Sequence, residues 1–164
     1  MKLNSARGRS EGLTLLELMV TLAIIMILAS MVLPFSKIAA RRAKEFELHQ
    51  NLRTVREAID EFHLDYLTIP YKGTTIANDI AGESGYPKTL DILVKGVKNP
   101  RSPKETVKRY LRKIPVDPMT QSTEWGFRCN SDAPDSDNWC GDDVYDIYSK
   151  SNGVAIDKSK YKDW

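Results

Sequence analysis

"EGLTLLELMVTLAIIMILASMVLPF", residues 11–35, decides how the rest of the chain is read. From Leu13 to Phe35 it holds 23 residues and one charge, Glu17. A helix needs about 20 apolar residues to cross a bilayer. A carboxylate inside such a run is costly in lipid, so Glu17 marks a function. A plain signal anchor with an unpaired Glu17 near the headgroups is the simpler alternative.

On the N-terminal side, residues 1–12 are short, polar and basic, with Lys2, Arg7, Arg9 and Glu11. A secretory signal places its small-residue cut after the apolar core. Here the small residue, Gly12, comes before it. On the C-terminal side, Lys37, Arg41, Arg42 and Lys44 follow the run, so flanking positive charge does not settle orientation. The whole chain has a formal net charge of +2, and the leader accounts for it. No basic patch of the size nucleic acid requires remains.

Gly12 followed by "LTLLELMV" resembles the type IV prepilin signature. That resemblance implies cleavage between Gly12 and Leu13 by a prepilin peptidase, and methylation of the new amino group on Leu13. The family usually has Phe where Leu13 stands. It also implies a role for Glu17, whose carboxylate would pair with the first residue's amine on a neighbouring subunit and set register in a filament. On this reading the leader stays in the cytoplasm and the head lies in the periplasm.

Helical patterning continues past Phe35. Leu48, Leu52, Val55, Ile59, Phe62 and Tyr66 recur at steps of four and three, one apolar stripe of an amphipathic helix. Arg53, Arg56, Glu57, Asp60, Glu61 and Asp65 form the solvated face. A helix over 13–67 would be roughly 80 Å long. Pro34 removes a backbone donor and meets the carbonyl of Ser30, so a kink is expected there.

Residues 68–100 are rich in turn formers. The sequence predicts a short helix over 87–94 starting at Pro87. It predicts a second from "SPKE" at 102–105 to about Lys113, with Ser102 capping and Glu105 completing a capping box. "WGFR" at 125–128 and "VYDIYS" at 144–149 read as strands. Asn152-Gly153 predicts a hairpin returning through "VAID" at 154–157. The expected fold class is α+β: a long N-terminal helix packed on a small antiparallel β-sheet head. The parts are a leader (1–12), a transmembrane half-helix (13–35), an amphipathic half-helix (36–67) and a globular head (68–164).

"YPKTLDILV" at 86–94, "RYLRKIPVDP" at 109–118 and "VYDIYSKSNG" at 144–153 follow one another in an order similar to the head of the major pseudopilin of type II secretion. That likeness implies a homopolymeric filament, minor pseudopilins and an inner-membrane assembly platform as partners, and a calcium-binding tail. The tail here departs from the family, with Asp157 and Asp163 as its carboxylates among four lysines from Lys150 to Lys162. Asn152, Asp157 and Asp163 are the candidate calcium ligands. A second acidic set, Asp132, Asp135, Asp137, Asp142 and Asp143, lacks the order of an EF-hand loop.

Cys129 and Cys140 predict a disulfide in an oxidising compartment, two free thiols being the alternative. Such a loop is similar to the disulfide-closed C-terminal loop of adhesive type IV pilins. A type IV pilin of a surface fibre therefore stands beside the pseudopilin reading. A membrane-anchored periplasmic binding protein or enzyme is the reading of another class. No catalytic constellation is visible: His49 and His63 are 14 residues apart with no nucleophile at a meaningful spacing. Both are expected to be exposed helix residues.

Overall fold

The computed structural model describes residue 12 and residues 14–68, 77–98 and 106–164, with the backbone alone at 31–34. The chain forms two compact units, Met1–Arg41 and Arg42–Trp164. Helix α1 is Leu15–Thr68, 54 residues in a single helical run that includes position 34. In the first unit every described side chain from Thr14 to Ser30 is exposed. A helix apolar all round gains nothing from water, so this surface requires lipid or other helices around it.

The second unit is built on the C-terminal part of α1. Leu48, Leu52, Val55, Ile59 and Phe62 are buried, as their spacing predicts, and Tyr66 packs partly buried at the end of the stripe. Burying each of the larger side chains contributes about 1.5–3 kcal/mol. Against them pack Leu90, Leu93, Val97, Trp125, Val144 and Ile147. The Trp125 indole is almost completely buried, and its N–H donates to the Pro115 carbonyl at 3.0 Å. That bond removes the cost of an orphaned donor.

Two short helices, α2 (Ala77–Ile80) and α3 (Leu90–Lys95), follow α1. α3 starts three residues later than predicted. Pro87 instead bridges Ala81, and its carbonyl accepts the Val144 N–H at 2.8 Å. Those cross-chain bonds hold the segment extended up to Thr89. α3 ends at Gly96, where φ is +80° and a Cβ would overlap the Lys108 carbonyl. Only glycine meets both demands at low cost.

The strands form two two-stranded antiparallel sheets rather than one. β1 (Val97–Lys98) pairs with β2 (Val107–Lys108). The helix expected over 102–113 is therefore not formed at 107–108, and its proposed cap at 102–105 lies outside the described residues. Tertiary contact outcompetes helix propensity here: the Tyr110 and Leu111 N–H groups both donate to the Leu93 carbonyl at 3.0 Å.

β3 (Gly126–Arg128) and β4 (Asp146–Tyr148) pair in the register Gly126–Tyr148, Phe127–Ile147, Arg128–Asp146. Both fall inside the predicted strands. The predicted hairpin from β4 into 154–157 is corrected. Val154 bridges Lys160, and Ala155 N–H donates to Ser159 O at 2.7 Å. The tail curls on itself into a 3₁₀ turn at Tyr161–Asp163. It is tied to α1 through Glu45, whose Oε1 accepts from Ile156 N–H at 3.0 Å and Tyr161 O–H at 2.8 Å.

Candidate functional site

The N-terminal end of α1 is ordered from its own sequence. Thr14 Oγ1 accepts the backbone N–H of Glu17 at 3.2 Å, and the Thr14 carbonyl accepts that of Leu18 at 3.0 Å. Those two bonds make Thr14 the N-cap and place Glu17 at the third helical position. The signal was present as Thr14-x-x-Glu17, a capping-box pattern that the leader reading passed over. Gly12 is exposed. Leu13, the expected methylation site, lies outside the described residues.

Glu17 is exposed in the first turn of α1. An acidic group at a helix N-terminus is favoured by the helix dipole. Around it Leu15, Leu16 and Leu18 are also exposed. The proposed kink at Pro34 concerns a residue whose side chain is not described, and the helical assignment continues through it.

In the head, Cys129 and Cys140 are joined in a disulfide. Four acidic residues in or beside that loop, Asp132, Asp137, Asp142 and Asp143, make local bonds. Asp132 Oδ2 accepts the Cys129 N–H at 2.7 Å. Asp143 is buried, accepting from Asn130 N–H at 3.1 Å and from the Ser84 hydroxyl. Asp142 Oδ2 accepts the Glu83 N–H at 3.2 Å. Asp137 pairs with Lys162 at 2.6 Å, and that bond holds its carboxyl below the ordinary range. Among the described residues, the group of three potential metal-donor side chains within ligand reach is Cys129, Asp132 and Cys140. Both of its sulfurs are committed to the disulfide.

Asn152, Asp157 and Asp163 are all exposed. Asp157 Oδ1 accepts the Ser159 hydroxyl at 2.6 Å and the Ser159 N–H at 2.9 Å, and these bonds lower its pKa. His49 is an exposed residue of α1, as expected, whereas His63 is not fully exposed. His49 stacks on Trp164 with centroids 3.9 Å apart. His63 is half-buried and stacks on Tyr86 at 4.0 Å, with Nδ1 buried and lacking a hydrogen-bond partner. Burial first, then the neighbouring Tyr145, Asp60 and Asp143, raise the Tyr86 pKa.

Residues 7–33 match the family model of the prokaryotic N-terminal methylation motif. No curated protein and no solved structure matches the chain. The motif implies processing by prepilin peptidase and filament assembly in general, and the apolar helix behind it is consistent with a single-pass membrane anchor. That motif, with the long helix and the small antiparallel sheets that follow it, supports a type IV prepilin-like architecture for the chain.

Proposed function

We propose that this chain is a structural, non-catalytic subunit of a helical filament, the pseudopilus of a type II secretion system or a related assembly. The observation that carries the reading is Glu17, an exposed carboxylate in the first turn of an apolar helix directly after the methylation motif's glycine. Cleavage after Gly12 would create an ammonium on Leu13. Pairing Glu17 with that ammonium on a neighbour would compensate two charges that are costly in lipid. The order of the head segments at 86–94, 109–118 and 144–153 supports the pseudopilin over other members. Its partners would be copies of itself, prepilin peptidase, minor pseudopilins and an inner-membrane platform. The head would lie in the periplasm, where a disulfide persists.

A type IV pilin of a surface fibre is the second reading, favoured by the Cys129–Cys140 bond that closes a loop late in the chain. Calcium at Asn152, Asp157 and Asp163 belongs to the pseudopilin reading. A higher melting temperature in calcium than in chelator supports it, and an Asp157→Asn variant should abolish the difference.

The test of the filament role is Glu17→Ala beside Glu17→Asp, scored by electron microscopy of sheared filaments and by subunit crosslinking. The alanine variant should be cleaved and membrane-inserted yet assemble poorly, with Asp intermediate because its reach is shorter. Normal filaments from Glu17→Ala would remove the register role. Filaments confined to the periplasm favour the pseudopilus, and fibres extending from the cell favour the pilin.

A further inference from the structure

We propose that the head carries a head-to-tail interface for a second copy of this chain. The basic surface at 107–113 of one copy docks on the acidic surface around Tyr145 of the next. The inference rests on the filament reading and adds to it the two faces that meet. Charge is already sorted along the sequence. Residues 106–113 hold four cations, Lys108, Arg109, Arg112 and Lys113, and no carboxylate. Residues 129–146 hold six aspartates and no lysine or arginine.

The fold puts these segments on opposite flanks of the buried stripe of α1. Lys108 is held by Glu61 at 2.8 Å and Asp65 at 2.7 Å. Asp146 is held by Arg56, and Tyr145 meets edge-on the Tyr86 ring that stacks on His63. With 3.6 residues per turn, positions 61 and 65 lie on one side of the stripe and 56, 60 and 63 on the other. On the first flank Arg109, Arg112 and Lys113 are exposed and pair with no described carboxylate. Val107 beside them is 39% exposed. On the second flank Tyr145 is 45% exposed and lines a hollow of about 230 Å³ with Arg56, Asp60 and Asp146. Asp60 and Glu83 there are exposed carboxylates with no ion pair among the described residues. Asp142 lies beside Glu83, bonded to its N–H. Of the cations on this side, Arg56 is engaged by Asp146 and Lys88 is partly buried.

Each flank thus offers an exposed apolar residue bordered by charge of one sign, and the signs are opposite. Either flank meeting itself would bring like charges together, so the favoured contact joins two different patches. Such a contact builds an open helix when its rotation does not close. Complementary charge guides approach and fixes register.

The experiment expresses the full chain in cells that hold the assembly machinery. Sheared filaments are measured by sedimentation and immunoblot against total subunit. Arg109→Glu with Arg112→Glu should lower filament yield roughly tenfold or more, because like charges then face each other. Asp60→Lys with Glu83→Lys should do the same. All four together exchange the signs and should restore most of the yield. Normal yield from either pair overturns the interface. So does a fourfold variant that gains nothing over the pairs while its urea midpoint matches the wild type. Benzoylphenylalanine in place of Val107 leaves every charge intact. On illumination it should give a crosslinked dimer through residues 56–62, 83–88 or 140–146 of the second copy, and dimers joined only elsewhere overturn the proposal. Absence of filaments from the wild type overturns the filament reading instead.

Discussion

Arg56 on α1 and Asp146 on β4, 90 residues apart, form a forked ion pair: Nε donates to Oδ1 at 2.7 Å and Nη2 to Oδ2 at 3.2 Å. The same Nη2 donates to the carbonyls of Ile147 at 3.2 Å and Trp164 at 2.9 Å. Arg128 comes within 3.6 Å of the same carboxylate and donates to Lys162 O at 3.0 Å. One carboxylate thus joins the helix, the β3–β4 sheet and the tail. Arg56→Ala should lower stability by about 2 kcal/mol, the scale of hydrogen bonds to charged groups. Arg56→Lys should recover only part, because an ammonium cannot make the fork. Urea unfolding of the detergent-solubilised chain checks both. An Arg56→Lys variant as stable as the wild type would leave the fork without a role.

Gly126 is buried opposite Tyr148 in the β3–β4 pair, and a Cβ there would overlap the tyrosine ring. The ring has little room to move, since the Arg128 guanidinium lies 4.3 Å from its centre. Gly126→Ala should therefore destabilise by about 1–3 kcal/mol, the usual cost of overpacking. Gly126→Ala in a Tyr148→Ala background should cost less. Equal costs in the two backgrounds would show that the ring is not the obstacle.

The Cys129–Cys140 loop closes over a sequence separation of 11. A bridge of this size contributes about 3 kcal/mol in the chain-entropy model. Thiol labelling of denatured, unreduced protein should find neither cysteine free. The double serine variant should melt lower, with the loss centred on the β3–β4 region. Complete labelling without reductant would contradict the pairing.

Lys108 on β2 lies 2.7 Å from Asp65 and 2.8 Å from Glu61, both on α1. The bond to Asp65 first, and that to Glu61 second, raise its pKa above the ordinary 10.5. A pKa raised on folding gives stability that is fully present below the unfolded value and lost as pH rises through the folded one. The advantage of the wild type over Lys108→Met should thus hold at about pH 9 and shrink above about pH 11. The side chains are substantially exposed, so the effect should be small and weaken with salt. A wild-type advantage unchanged across that range, measured by urea midpoints, would refute the linkage.

The N-terminal methylation motif was readable because its signals are local. Gly12 before an apolar run and Glu17 within it lie inside a few residues of one another. The stripe from Leu48 to Phe62 was readable for the same reason, since a helix repeats its buried face every three or four residues. β3 and β4 were legible as strands from their aromatic and β-branched residues.

What the tertiary structure decided was partnership. Residues 107–108 carry helix-start signals upstream yet pair with 97–98, and β4 pairs back to β3 instead of forward across Asn152-Gly153. His63 lies under Tyr86, and Arg56 finds Asp146, with no mark in the sequence linking either pair. Strands of two or three residues have little intrinsic preference to set against a competing contact. Their choice rests on burial and hydrogen bonding between segments tens of residues apart. A helix closes its bonds within four residues and so writes itself into the sequence, whereas a strand depends on whichever edge the rest of the fold brings to it.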